Sequence, residues 1–181
     1  MENSFYYFFS ATPQVLAGII SLFGVLVIFK LDSIKFKLLG IGESILEFEK
    51  IYLESTLGEK LNIKILDIEV INKIKRSINL KDIVRLKSVI DSVNIESINE
   101  HRAKYESLFM YRNNLIDRTV FFSIITAITI VFCLLAIPFG KILLKHHCIL
   151  YLLFFMVIIC LAFIFYQLIS ILKEALKESA V

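Results

Sequence analysis

With 181 residues that are 57% hydrophobic and include 16 phenylalanines, and with a mean hydropathy of +0.76, the chain is too apolar for an ordinary soluble domain, whose apolar share is nearer half. Its 20 basic and 17 acidic residues net only +3 and are well mixed along the sequence. This argues for a solvated surface and against the basic stripe of a nucleic-acid binder.

The first dozen residues hold the aromatic run FYYFF at 5 to 9, which reads as a segment at the outer membrane interface, where amphipathic tyrosines are favoured. Glu2 is the only charge before the first apolar run, so the basic region of a cleavable signal peptide is missing and the run should stay as an anchor. Proline costs about 3 kcal/mol inside a helix and almost nothing at its first position. A start at Pro13, with Thr12 as its N-cap, is therefore expected for a first span over 13–30.

That span has two faces. At 100° per residue Gln14, Ala17, Gly18, Ser21 and Gly24 share one arc with Val25 and Ile28, while Leu16, Ile19, Ile20, Phe23, Leu26 and Val27 lie opposite. Lipid cannot drive helices together by hydrophobicity, so close approach at small residues is the usual means of association. The first arc is accordingly expected to be a helix-packing or pore face.

Residues 31–118 contain no proline and three glycines, Gly40, Gly42 and Gly58, and should form a small helical domain. A flexible joint at Gly40 and Gly42 leads into an amphipathic helix over about 43–57, with Ile45, Phe48 and Tyr52 on one side and Gly58 as its C-cap. The stretch LNIKILDIEVI, 61 to 71, partly alternates, so helix and short strand both stay open. A third helix is expected from Lys81 to Val93. The last should begin near Ile95 and run without a breaker into the second span, carrying His101, Tyr105, Leu108, Arg112, Leu115 and Thr119 as one stripe.

The second span, 119–139, repeats the small or polar arc with Thr119, Ser123, Thr126, Thr129 and Cys133. Hydroxyls there can bond to backbone carbonyls one turn back. After an outer loop over 140–147, the third span at 148–172 spreads Leu, Phe, Ile and Val all round its circumference. It reads as the peripheral, lipid-facing helix, followed by a tail over 173–181. The windows 13–29, 119–139 and 148–172 lack charge and meet the roughly 17 to 25 residues that a crossing needs.

The basic residues set the orientation. Lys30, Lys35, Lys37, Arg102, Lys104, Arg112, Arg118, Lys173 and Lys177 gather on one side, against Lys141 and Lys145 on the other. The positive-inside rule then puts the N-terminus outside and both 31–118 and the C-terminal tail in the cytoplasm of a cell (inner) membrane protein.

Chemistry is not apparent. The three cysteines form no CxxC pair and read as free, lipid-protected thiols. LLGIGES lacks the lysine of a phosphate loop, His146 and His147 read as solvated, and no catalytic set, metal site or cofactor is expected. YRNNLID, 111 to 117, resembles the start of the Arg-Asn motif of HEPN ribonucleases. That motif needs a histidine a few residues on, where Asp117 and Arg118 stand, so no sites carry over.

The expectation is thus an all-α, non-enzymatic membrane protein of three transmembrane helices, with a small helical cytoplasmic domain between the first and second. In layout it resembles membrane effectors of bacterial stress and phage-defence systems. That reading predicts a channel-like homo-oligomer in the lipid bilayer, with Arg112 and Arg118 as basic rings at its mouth. The alternative is an anchor or scaffold for a cytoplasmic protein partner.

Overall fold

The computed structural model describes residues 2–54, 68–93 and 98–177. Among these residues six helices follow in chain order: α1 (Glu2–Glu54), α2 (Ile68–Asn79), α3 (Ile83–Ser92), α4 (Asn99–Ala136), α5 (Gly140–Leu143) and α6 (His147–Lys177). No strand occurs among the described residues. Runs within α1, α4 and α6 are long and apolar enough to cross a membrane, at Asn3–Glu47, Asn99–Ala136 and His147–Lys173. The chain divides into two compact units, one of residues 1–30 with 115–181 and the other of residues 31–114; α1 and α4 contribute to both.

In the first unit all three long helices bury side chains with a period near 3.5 residues. α1 buries Phe5, Phe9, Thr12, Leu16, Phe23 and Val27; α4 buries Leu115, Phe122, Thr126, Thr129, Cys133 and Ala136; α6 buries Leu150, Val157, Ile164 and Ile171, one in seven. This repeat keeps a contact seam in register along a left-handed crossing. The Phe23 and Phe122 rings meet at 4.8 Å, while Phe5 and Phe9 share a cluster with Cys133, Ala136, Leu150 and Val157. Early α1 thus lies against late α4, and the two run antiparallel. Because both faces of α6 are apolar, its buried seam left no trace in composition, and the reading of it as a helix with no preferred face gives way to a one-sided seam.

α1 does not start at Pro13. The helix begins at Glu2 and carries Pro13 inside it, so FYYFF forms its first turns. Packing explains why the proline fails to end it. Phe5 and Phe9 are almost fully buried, and Phe8 and Phe9 set their rings 4.9 and 5.4 Å from that of Phe154. A break at Pro13 would forfeit these contacts and leave further backbone groups unpaired where no water can reach them.

The other end of this contact is shaped by Gly140. α4 stops at Ala136, two residues before Pro138, and a turn leads to Gly140 at the start of α5. A Cβ at Gly140 would stand 2.7 Å from Phe5 Cε1 and 2.8 Å from the Tyr6 hydroxyl, inside van der Waals contact. The absence of a side chain at this turn therefore makes room for the aromatic start of α1.

In the second unit α1 buries Ile34, Leu38, Leu39, Ile41 and Ile45. Gly40 and Gly42 make no joint, since α1 runs through both. Gly42 instead permits close approach: a Cβ there would meet Leu86 Cδ2 at 3.0 Å and Ile78 Cδ1 at 3.2 Å. α2 and α3 are joined by a turn at Leu80 and Lys81, where Lys81 takes φ 52°. Asp82, the N-cap of α3, accepts from the Arg85 backbone N–H at 3.0 Å, which places the helix start two residues after Lys81. α2 claims residues 68 to 71 of LNIKILDIEVI; residues 61–67, Gly58 and the side chains of Phe48 and Tyr52 lie outside the described residues, as does the expected start near Ile95. From Asn99 to Ala136 the last helix is uninterrupted, as the absence of a breaker predicts.

Two glycines in the first unit should answer differently to the same change. Gly140→Ala is expected to lower the thermal unfolding midpoint in detergent, at a cost of about 1 to 3 kcal/mol from overpacking. Gly18→Ala, with nothing within 4 Å of its added Cβ, should leave the midpoint unchanged or raise it.

Candidate functional site

The two small-residue arcs have opposite fates. On α4, Thr126, Thr129 and Cys133 are buried and Thr119 and Ser123 half-buried, so this arc is consumed by packing within the chain. Its threonine hydroxyls are satisfied locally: Thr119 donates to the Leu115 carbonyl at 2.7 Å, Thr126 to Phe122 at 2.8 Å and Thr129 to Ile125 at 2.9 Å. On α1 Leu16, Phe23 and Val27 pack inward, and the small residues look out beside the exposed Val15, Leu22, Leu26 and Ile28. Gln14, Ala17, Gly18 and Ser21 are exposed and Gly24 half-buried, and an added Cβ at Gly18 or Gly24 would meet nothing within 4 Å.

Gln14 stands apart on this open face. Because α1 passes through Pro13, its charge-free run extends from Asn3 to Phe29, and the part from Phe5 on makes roughly 37 Å of helix, against a hydrocarbon core of about 30 Å. Gln14 sits about 13 Å from the Phe5 end of that part, well inside a stretch long and apolar enough to cross a membrane. Ser21 settles its hydroxyl on the Ala17 carbonyl at 3.0 Å, but the Gln14 side chain is exposed and has no hydrogen-bond partner among the described residues. Its amide brings two donors and an acceptor into a medium that offers neither, a penalty of order 1 to 3 kcal/mol per unmet group.

The two arginines of the expected basic rings both lie on α4. Arg112 is half-buried and its Nη1 donates to Asn113 Oδ1 at 3.4 Å; Arg118 is exposed and, with Asp117, lines a notch against α6. His146, His147 and Cys148 are exposed near the start of α6. The described residues include no group of three or more His, Cys, Asp or Glu side chains placed to hold a metal ion.

Within the unit of residues 31–114, α4 clamps α3 at two points that the sequence did not reveal. Arg102 Nη2 donates to the carbonyls of Ile90 at 3.0 Å and Asp91 at 2.9 Å, and also to that of Val93. A guanidinium thus covers the negative C-terminal end of α3, where the Ile90 carbonyl also accepts from the Val93 N–H. Tyr105, buried, donates its hydroxyl to the Ile83 carbonyl at 2.6 Å. Only its place on the 3-and-4-spaced stripe of α4 could have marked Tyr105, and nothing local in the sequence marks Arg102 as a cap.

No family model, curated protein or solved structure matches the chain.

Burial, reinforced by the charges of Asp82 and Asp91, pushes the Tyr105 hydroxyl above its ordinary range. A raised pKa means the folded state favours the protonated form, so this contribution is fully present below about pH 10, the ordinary tyrosine value, and is lost as pH climbs beyond it. Unfolding followed from pH 8 to 12 should show stability falling above pH 10. Tyr105→Phe should cost about 1 kcal/mol at neutral pH and flatten that decline.

Proposed function

We propose that the chain is an integral membrane protein that self-assembles through the open face of α1 and acts as a channel-like effector, with residues 31–118 in the cytoplasm gating it or relaying a signal to it. The observation that carries the proposal is Gln14: an unpartnered amide at hydrocarbon depth, flanked on one face by Ala17, Gly18, Ser21 and Gly24. A second copy supplies what lipid cannot. Small residues let backbones approach, and a Gln–Gln hydrogen bond across the seam replaces the missing partner, an interaction worth about 0.6 to 1.7 kcal/mol in membranes.

If more than two copies close a ring, Gln14 and Ser21 give its inner wall polar groups. Of the two arginines, Arg112 is then the candidate for a cationic ring that favours anions, since Arg118 lines the notch against α6. The distribution of basic residues supports an N-terminus outside and a C-terminal tail inside the inner membrane. The layout is the one expected for a prokaryotic stress or phage-defence effector.

The anchor reading draws support from a different place. Ile68, Leu80 and Val84 are large, apolar and more than 60% exposed, a surface that a cytoplasmic protein could cover. Its further assumption, that the small faces pack the three spans into one bundle, fits α4 and does not fit α1.

Light scattering on the full chain in mild detergent separates the two. Self-assembly predicts a multimer whose association weakens about three- to twentyfold per contact in Gln14→Leu. Ser21→Leu combined with Gly24→Leu should reduce it to a monomer that still inserts. A wild-type monomer across the accessible concentrations would favour the anchor. For effector action, cells expressing the chain under triggering conditions should lose the signal of a potential-sensitive dye; an unchanged membrane potential counts against it.

A further inference from the structure

A second polar feature of the first unit lies at the opposite end of the spans from FYYFF. Asp117, Arg118 and Phe121 of α4 and Tyr166, Gln167 and Ser170 of α6 line a notch of about 460 Å³. Asp117 and Arg118 directly precede the charge-free run that begins at Thr119, and Ser170 comes three residues before Lys173. Both walls therefore sit at the boundary between hydrocarbon and headgroups, where the surrounding medium is itself a supply of ligand.

We infer that this notch is a binding site for the headgroup of a zwitterionic phospholipid bearing a primary ammonium, of the phosphatidylethanolamine type. Charge complementarity selects the class. A guanidinium with five N–H donors matches a phosphodiester, and it can do so while keeping another contact. Beside it, the Asp117 carboxylate offsets the positive charge that would favour a net-anionic lipid, and it pairs with an ammonium.

The remaining polar groups refine the choice. A primary ammonium brings three N–H donors, and Asp117, the Gln167 carbonyl and the Ser170 hydroxyl offer three acceptors. A choline headgroup has no N–H and is held by several aromatic faces, whereas here only Phe121 and the largely exposed Tyr166 are at hand. Phe121 serves better as an apolar flank for the first carbons of an acyl chain.

The test is native mass spectrometry of the full chain, released from detergent with equimolar phosphatidylethanolamine, phosphatidylcholine and phosphatidylglycerol of identical acyl chains. Phosphatidylethanolamine adducts should exceed each of the others about two- to fivefold, the discrimination expected of an exposed charge pair. Asp117→Asn should bring phosphatidylethanolamine down to the phosphatidylcholine level and raise phosphatidylglycerol. Arg118→Gln should weaken all three. Both positions are exposed, and an unchanged circular dichroism melt will show that the variants fold. Equal adducts of the three lipids, dominance of phosphatidylglycerol or phosphatidylcholine, or preferences that survive Asp117→Asn would overturn the assignment.

Discussion

Hydrocarbon gives a polar group no hydrogen-bond partner, and the handling of that constraint organises the three long helices. Backbone groups are answered within each helix, which is why α1 persists through Pro13 and turns are confined to the ends of the spans. The hydroxyls of Thr119, Thr126, Thr129 and Ser21 are short enough to reach a carbonyl of the preceding turn. An amide on a longer side chain cannot be disposed of so simply. Gln14 is a place where the constraint is left unmet on a face open to a neighbour, and for that reason the proposed assembly rests on it.

The rest of α1 is consistent with a helix that serves two contacts at once. Its large residues, from Phe5 through Leu16 and Phe23 to Val27, face inward to α4 and α6, so the bundle is held by shape-matched bulky side chains. That leaves the small residues on the outside, alongside exposed apolar residues such as Leu22 and Ile28. Had the chain used them internally, as it does on α4, the close approach would already be spent. The aromatic first turns belong to the same design, because their seat against Gly140 and Phe154 pins the N-terminal half of α1 and thereby fixes which way Gln14 looks.

How much of this the sequence revealed depended on contrast between faces. Charge-free length made the three apolar helices legible, and on α4 the 3-and-4 spacing of Tyr105, Leu115, Thr126 and Cys133 marked residues that are indeed buried. On α1 the same method found two faces, yet the hydrophobicity pattern could not say which one packs, since in lipid the bulky face is equally at home on either side. In α6 every position is apolar and the seam of Leu150, Val157, Ile164 and Ile171 was invisible. The notch between α4 and α6 and the Arg102 cap join residues distant in sequence, and no local spacing announces them. Pro13 misled for a related reason: its local cost is real, but aromatic packing contributed by another part of the chain outweighs it.

The central claim is that α1 presents its small face to another copy of the chain, and disulfide trapping in native membranes tests it most directly. Single cysteines would be placed along α1 in a chain whose Cys133, Cys148 and Cys160 are replaced by alanine, and oxidised without detergent. The account predicts covalent dimers from positions 14, 18, 21 and 25 and none from 16, 23 or 27. Failure to trap at the first set, or equal trapping at both, would contradict it.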